Sequence, residues 1–276
     1  MFKKSVFSVL LFLLLYSTTK ADQIVLIGTD SKGSTSRSDA DFVLIITIKE
    51  NEIKTTALMK DTYVYVKGFG NQKLGAAYRL GGNELLISTI NANFKTKLTS
   101  SIVADFDKIA SAIDSFGGLS FTINKNIHHY VNAYIRNQSY LKDTPALPLT
   151  RDGNLKLSGP QSLAYARVVV PGTAYDDYAR IERQKNITKT MLTFAMKNKS
   201  LAFKNSSHLL ALINTNLNLG NYFEAVMTFL NKPSLPKSQV FPIQQHYTRK
   251  MISNKVAVLK IINFDKAAVS LNKMIE

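Results

Sequence analysis

Two apolar runs separated by a polar loop constrain this chain more than any other feature. Ile24-Val25-Leu26-Ile27 and Phe42-Val43-Leu44-Ile45-Ile46 are of strand length and rich in β-branched and aromatic residues. Runs of that kind read as strands buried in a sheet. Between them lie Gly28-Thr29-Asp30, a Ser/Gly/Lys-rich loop, and Arg37-Ser38-Asp39. Loops held by rigid strands are where chemistry usually sits, and paired carboxylates suit a hard divalent cation. Asp30 and Asp39 equally suit turn and cap positions, which aspartate favours for its own local hydrogen bonds. Two other readings fail. Gly28 and Gly33 open like a phosphate-binding loop, but Ser34-Thr35 stands where Lys-Ser/Thr is required. A calcium loop starting at Asp30 would need acidic or amide residues where Lys32 and Ser34 stand.

The strands continue past this loop. Lys49 to Glu52 reads as a polar hairpin turn, and Ile53 to Met59 as a third strand returning beside the second. That return brings Lys60, at the strand's end, to the same edge as Asp30 and Asp39. Thr62 to Val66 reads as a further strand and Gly68 to Asn71 as a loop. Gly81-Gly82-Asn83 breaks the chain, with Asn83 placed to cap a helix over 84–94. Phe106, Ile109, Ala110, Ile113 and Phe116 follow helical spacing, Gly117-Gly118 stops that helix, and Leu119 to Ile123 reads as a strand. Residues 124–154 read as irregular; adjacent His128 and His129 cannot share a helix face as metal ligands. Ser158-Gly159-Pro160-Gln161 is a capping box opening a short helix that ends near Arg167. A loop over 173–177 leads to a long helix carrying Arg180, Gln184, Ile187, Met191 and Phe194 on one stripe. Its first turns present Arg180, Arg183 and Gln184, where anions are best received. Leu209 to Ile213 and Tyr222 to Leu230 read as short helices, Val256 to Ile262 as a late strand, and the chain closes on an amphipathic helix from Phe264. Strands alternating with helices imply an α/β fold. No Pro/Gly/Ser-rich linker divides it, which favours one domain.

Charge and the N-terminus narrow the partners. The 276 residues carry 35 Lys+Arg against 19 Asp+Glu, a net charge of +16, which favours anionic partners. Lys3-Lys4, an apolar run over 6–16 and Thr19-Lys20-Ala21 form the pattern of an export signal. The run is short for a membrane span, which needs about 20 apolar residues. We therefore expect residues 1–21 to be a signal peptide or short membrane anchor, and 22–276 an exported domain, with no nucleic-acid partner. The absence of cysteine removes disulfides, thiolate metal sites and a cysteine nucleophile.

A resemblance joins these pieces. The ordered set Gly28-Thr29-Asp30, Arg37-Ser38-Asp39, Lys60-Asp61-Thr62-Tyr63-Val64, Lys73-Leu74-Gly75-Ala76-Ala77-Tyr78, Gly81-Gly82, Gly117-Gly118, Leu157-Ser158-Gly159, Leu163-Ala164-Tyr165-Ala166-Arg167 and Asp177-Tyr178-Ala179-Arg180, with Arg183-Gln184 after it, resembles the LytR-CpsA-Psr family. That resemblance implies a single-domain α/β/α sandwich with a mixed central sheet flanked by helices. It also implies a bacterial envelope enzyme that takes a polyprenyl-diphosphate lipid in an apolar channel. Such an enzyme transfers a glycopolymer, teichoic acid or capsular polysaccharide, from that lipid to peptidoglycan at the membrane surface with Mg²⁺ or Mn²⁺. Carried across residue by residue, Asp30 and Asp39 would hold the metal. Arg37, Lys60, Arg167, Arg180, Arg183 and Gln184 would grip the pyrophosphate, with Lys73 nearby. Asp39, Lys60, Arg167 and Arg180 would carry the catalysis, and Asp61 is a candidate base or a structural residue. Two positions depart from the family pattern: Lys60 and Val169 stand where arginines are usual. Lysine keeps the charge but loses the bidentate fork. The same fold with a weakened site would serve a non-catalytic binder of lipid pyrophosphate or anionic polymer. A pyrophosphatase acting on the same lipid is the other alternative.

Overall fold

The computed structural model describes residues 22–30, 37–49, 52–142, 147–170, 176–211, 213–218, 220, 226–227, 230–231, 237–253 and 256–276. The expected export segment, 1–21, lies outside them, as do the middle of the Asp30–Asp39 loop and most of the helix expected over 222–230. Among the described residues no helix is long and apolar enough to cross a membrane.

The strands are β1 (Asp22–Thr29), β2 (Ala40–Ile48), β3 (Ile53–Leu58), β4 (Thr62–Val66), β5 (Gly70–Lys73), β6 (Ser100–Asp105), β7 (Leu119–Ile123), β8 (Gly153–Leu157), β9 (Asn214–Thr215), β10 (Lys237–Phe241), β11 (Tyr247–Ser253) and β12 (Val256–Ile261). The helices are α1 (Leu74–Phe94), α2 (Phe106–Ser115), α3 (Lys125–Lys142), α4 (Gly159–Arg167), α5 (Asp176–Lys197), α6 (Lys199–Ala211) and α7 (Phe264–Ile275). Six strands form the main sheet in the order β10-β3-β2-β1-β6-β9, four form a smaller sheet in the order β11-β12-β4-β5, and β7 pairs with β8. β1 runs antiparallel to β2 and parallel to β6, so the sheet is mixed.

Alternation along the strands sorts the core. Val25, Ile27, Val43 and Ile45 pack in one cluster with Leu86, Ile90 and Phe94 of α1 and Leu271 of α7. The opposite face meets α2, α4 and α5. Helices on both faces of a mixed sheet make an α/β/α sandwich.

Local sequence explains most boundaries. Ser158 Oγ accepts from the Gln161 backbone N–H and Gln161 Oε1 accepts from that of Ser158 at 2.9 Å, the capping box expected for α4. Gly159 is required there because a Cβ would collide with the Ala110 carbonyl oxygen, letting α4 cross α2 closely. Asp105, the last residue of β6, caps α2 through the Lys108 backbone N–H at 2.9 Å.

Four expectations change. The break at Gly81-Gly82 is a kink inside one helix, made possible by φ +74° at Gly82. Asn83 donates its amide to Ser101 Oγ at 3.0 Å. Gly70 and Asn71 belong to β5, a strand with no apolar signal that exists by pairing with β4. The segment read as irregular after residue 124 contains α3 and β8; Ile127, Val131 and Ile135 were spaced four apart among His, Tyr and Asn, and pack in the second core cluster. The long helix begins at Asp176, within the expected loop.

Candidate functional site

The main sheet presents one edge to the site. β1 and β6 end there in parallel, β2 begins there, and β3 ends there. Thr29 pairs with Ala40, so Asp30 and Asp39 leave adjacent strands one residue beyond that rung. Carboxyl ends of parallel strands are the usual ligand edge of an open α/β sheet.

Each aspartate meets an arginine from a helix. Asp30, with a side chain only 7% exposed, receives Arg167 Nη2 at 2.8 Å from the last turn of α4. The Arg167 guanidinium also lies over the Phe106 ring, 5.2 Å from its centroid, a cation–π arrangement. Asp39, about half exposed, receives Arg79 Nε at 2.8 Å from α1. Arg37 is exposed beside Gly82. Its charge reaches Tyr78: burial pushes the Tyr78 phenol up and Arg37 partly opposes that.

A second cluster sits where β3 passes into β4. Lys60 Nζ is ion-paired with Asp41 Oδ1. Asp61 lies between two cations, Lys73 Nζ at 2.6 Å and Arg180 Nη2 at 3.9 Å. A carboxylate held by two cations orders them, which favours the structural role among the two expected for Asp61. Arg183 leaves the rim: it is buried and donates to the Val168 carbonyl, locking the segment after α4 onto α5. Arg183 was expected to grip an anion with Arg180; the contact the structure shows for it is this one to the Val168 carbonyl.

Behind this rim runs an apolar cavity of about 310 Å³. Its floor is Ile24, Leu26, Phe42, Ile46 and Ile48 of β1 and β2. α2 contributes Ile109 and Ala112, α4 Leu163 and Ala166, and α5 Ile187, Met191 and Leu192. Arg167, Gln184, Lys108 and Thr188 are its few polar side chains among the described residues. Gln184, Ile187 and Met191, three members of the stripe read from the sequence, therefore share this wall. An apolar slot with a guanidinium and an amide at its edge accepts a long hydrocarbon carrying an anionic head.

The donor set fits a hard cation. Asp30 and Asp39 offer carboxylate oxygens from the ends of adjacent strands, and the buried Ser38 Oγ between them in sequence has no hydrogen-bond partner among the described residues. Among the described residues no group of three or more His, Cys, Asp or Glu is clustered for a metal. Two carboxylates with the remaining positions left to water and phosphate are what Mg²⁺ usually takes.

The LytR_cpsA_psr family profile matches residues 3–270. This chain belongs to the LytR_cpsA_psr family. Regulatory protein MsrR of Staphylococcus aureus is 25% identical over 230 residues, covering 81% of this chain and 65% of MsrR. The chain thus spans just under two thirds of that relative's length. The polyisoprenyl-teichoic acid–peptidoglycan teichoic acid transferase TagU of Bacillus mycoides is 24% identical, covering 84% of this chain and 66% of TagU. Among solved structures, TagT of Bacillus subtilis with bound octaprenyl pyrophosphate lipid superposes with a TM-score of 0.65. It is 20% identical and covers 92% of this chain and 90% of that one. The α/β/α sandwich is therefore the family's fold.

Two residues of the site escaped the sequence reading. Arg79 follows the Lys73–Tyr78 motif directly, and only the pairing of β2 with α1 reveals its contact with Asp39. Asp41 lies next to the start of a strand, where a polar side chain gives no signal of its own.

Proposed function

We propose that this LytR_cpsA_psr protein is a phosphotransferase. It would move a glycopolymer from a polyprenyl-diphosphate carrier to a peptidoglycan hydroxyl, working at the outer face of the cell membrane. In this reading residues 1–21 are its export signal or anchor. The observation that carries the proposal is the apolar cavity whose polar edge is Arg167 and Gln184, with Arg167 anchored on Asp30. Each lipid methylene taken into such a slot contributes about 0.8 kcal/mol, while the arginine fork selects a phosphate head.

The reaction balances simply. An acceptor hydroxyl oxygen attacks the phosphorus that bears the glycan. The bond from that phosphorus to the bridging oxygen breaks, the hydroxyl proton is released, and polyprenyl phosphate leaves. Arg167 and Arg180 meet charge on the leaving phosphate, Arg37 and Gln184 orient the pyrophosphate, and Asp61 holds Lys73 and Arg180 in place. Asp30 and Asp39 would hold Mg²⁺ or Mn²⁺, which when bound neutralises phosphoryl oxygens. Pyrophosphate entering the site exchanges one anionic partner of Arg167 for another, so the arginine needs no desolvation of its own at that moment.

A binder without turnover is the second reading. Lys60, tied to Asp41, offers one ammonium where the family pattern has a guanidinium fork. The test is transfer of labelled glycopolymer from a polyprenyl-diphosphate donor to peptidoglycan by the purified chain, with and without Mg²⁺. Metal-dependent transfer is the expected result. Donor binding without transfer under all conditions would overturn the enzyme and leave the binder.

A further inference from the structure

On the face of the smaller sheet opposite Val64 and Val66, Val258 is buried but Tyr63, Tyr65, Lys260 and Thr248 stay at least partly open, and the register builds a row across all four strands. Lys73 of β5 pairs with Tyr63 of β4, Tyr63 with Lys260 of β12, and Lys260 with Thr248 of β11. Residues paired across a sheet point to the same face. Val64 and Val66, on the other face, pack in the core. Lys260 and Thr248 are exposed, Tyr63 and Lys73 partly so, and Tyr65 on the same face is 58% exposed. No ion pair engages Lys260 among the described residues.

The row is continuous with the charged rim. Asp61, two residues before Tyr63, shares its face and holds Lys73 at 2.6 Å. The Leu259 backbone N–H donates to the Asp61 carbonyl at 2.9 Å, fixing β12 to the turn that carries Lys60. A chain leaving the pyrophosphate site past Lys73 would therefore meet an aromatic ring, then a free ammonium, then a hydroxyl.

We propose that this face is the subsite for the glycopolymer itself. Phosphates along the polymer would meet Lys260, and a sugar ring would lie on Tyr63. The inference rests on the lipid-diphosphate reading above but concerns a different part of the substrate. Charge complementarity with a chain of net +16 and the unbroken path from Lys73 favour a phosphate-bearing saccharide over an apolar partner.

The test uses the full chain and three probes: geranylgeranyl diphosphate, free oligo(glycerol phosphate), and vesicles containing phosphatidylglycerol. Lys260→Glu should weaken the free oligomer about tenfold in low salt and leave geranylgeranyl diphosphate unchanged. Lys260→Arg and Tyr63→Phe should retain the oligomer, and Tyr63→Ala should lose it. Oligomer binding that ignores Lys260→Glu would overturn the subsite. So would a Lys260→Glu defect confined to the vesicles, which would make the face a membrane contact. Loss of geranylgeranyl diphosphate binding by the wild-type chain, with the oligomer still bound and sensitive to Lys260→Glu, would instead fault the lipid reading and keep the subsite.

Discussion

The two faces of the main sheet are made of the same residue types and reach opposite ends. Val25, Ile27, Val43 and Ile45 are fully buried in a layer closed by α1 and α7. Ile24, Leu26, Phe42 and Ile46, interleaved with them along β1 and β2, border the 310 Å³ cavity. The difference comes from what faces them. α1 and α7 bring Leu86, Ile90, Phe94 and Leu271, which fill the space. α2 and α4 bring the small Ala112 and Ala166 beside Ile109 and Leu163, and the rim brings Arg167 and Gln184, whose polar ends have no place in an apolar slot. Close packing is the rule for protein interiors, so the apolar gap beside a charged rim marks the candidate site and the filled face reads as scaffold.

Substitutions should separate the two faces sharply. Phe94 is fully buried and meets Phe241 edge-on at 5.0 Å. Phe94→Ala should cost about 3–5 kcal/mol in denaturant unfolding; a cost below ~1 kcal/mol would deny that this face is close-packed. A matched pair tests the contrast directly. Ala77, fully buried on the core face of α1, sits in a filled layer, and Ala77→Phe should destabilise by about 1–3 kcal/mol. Ala112→Phe on the cavity side should instead keep stability or raise it by about 0.5–2 kcal/mol, while lowering affinity for a polyprenyl diphosphate at least tenfold. Equal stability losses at both positions would erase the distinction.

The two arginine–aspartate pairs at the rim form a smaller contrast. Arg167→Ala leaves the Asp30 carboxylate buried without its cation and should cost about 1–3 kcal/mol. Arg79→Ala breaks an exposed pair and should cost less than about 1 kcal/mol. A larger loss for Arg79→Ala than for Arg167→Ala would reverse the assignment of the buried pair. The smallest effect is on pH. Burial raises the phenols of Tyr165 and Tyr78, with Arg183 and Arg37 partly opposing. A raised acid stays protonated longer in the folded chain than in the unfolded one, so folding binds the extra proton. The stability these tyrosines give is full below the ordinary tyrosine value, about 10, and is lost as pH rises through their folded values. Tyr165→Phe should flatten that alkaline decline.

What the sequence made legible follows physical cause. The strands β1 and β2 announced themselves because each carries an unbroken apolar run buried on both faces, and β3, with Lys54, Thr55 and Thr56 inside it, followed as the strand returning from the polar turn after β2. The capping box of α4 was legible because its two hydrogen bonds are local, between Ser158 and Gln161. β5 and β11 were not, since Gly70–Lys73 and Thr248–Ser253 bury almost nothing and exist by pairing with β4 and β12. Among site residues, the edge shared by Asp30, Asp39 and Lys60 followed from hairpin geometry. The inward turn of Arg183 and the partners Arg79 and Asp41 depend on how helices dock, which spacing along one helix does not encode. The cavity was the least legible feature of all. Ile24 and Val25 look alike in one dimension, and only the helices laid over them make one a wall and the other a filling.

The measurement that bears most directly on this contrast is equilibrium binding of a polyprenyl diphosphate and of the matching polyprenol by the purified chain. It would be made on wild type, Ala112→Phe and Arg167→Ala. The expected result is one diphosphate lipid bound per chain, at least tenfold tighter than the polyprenol and weakened by either substitution. Binding that ignores the diphosphate, or that survives both a filled cavity and a missing Arg167, would contradict the assignment of this face as the site.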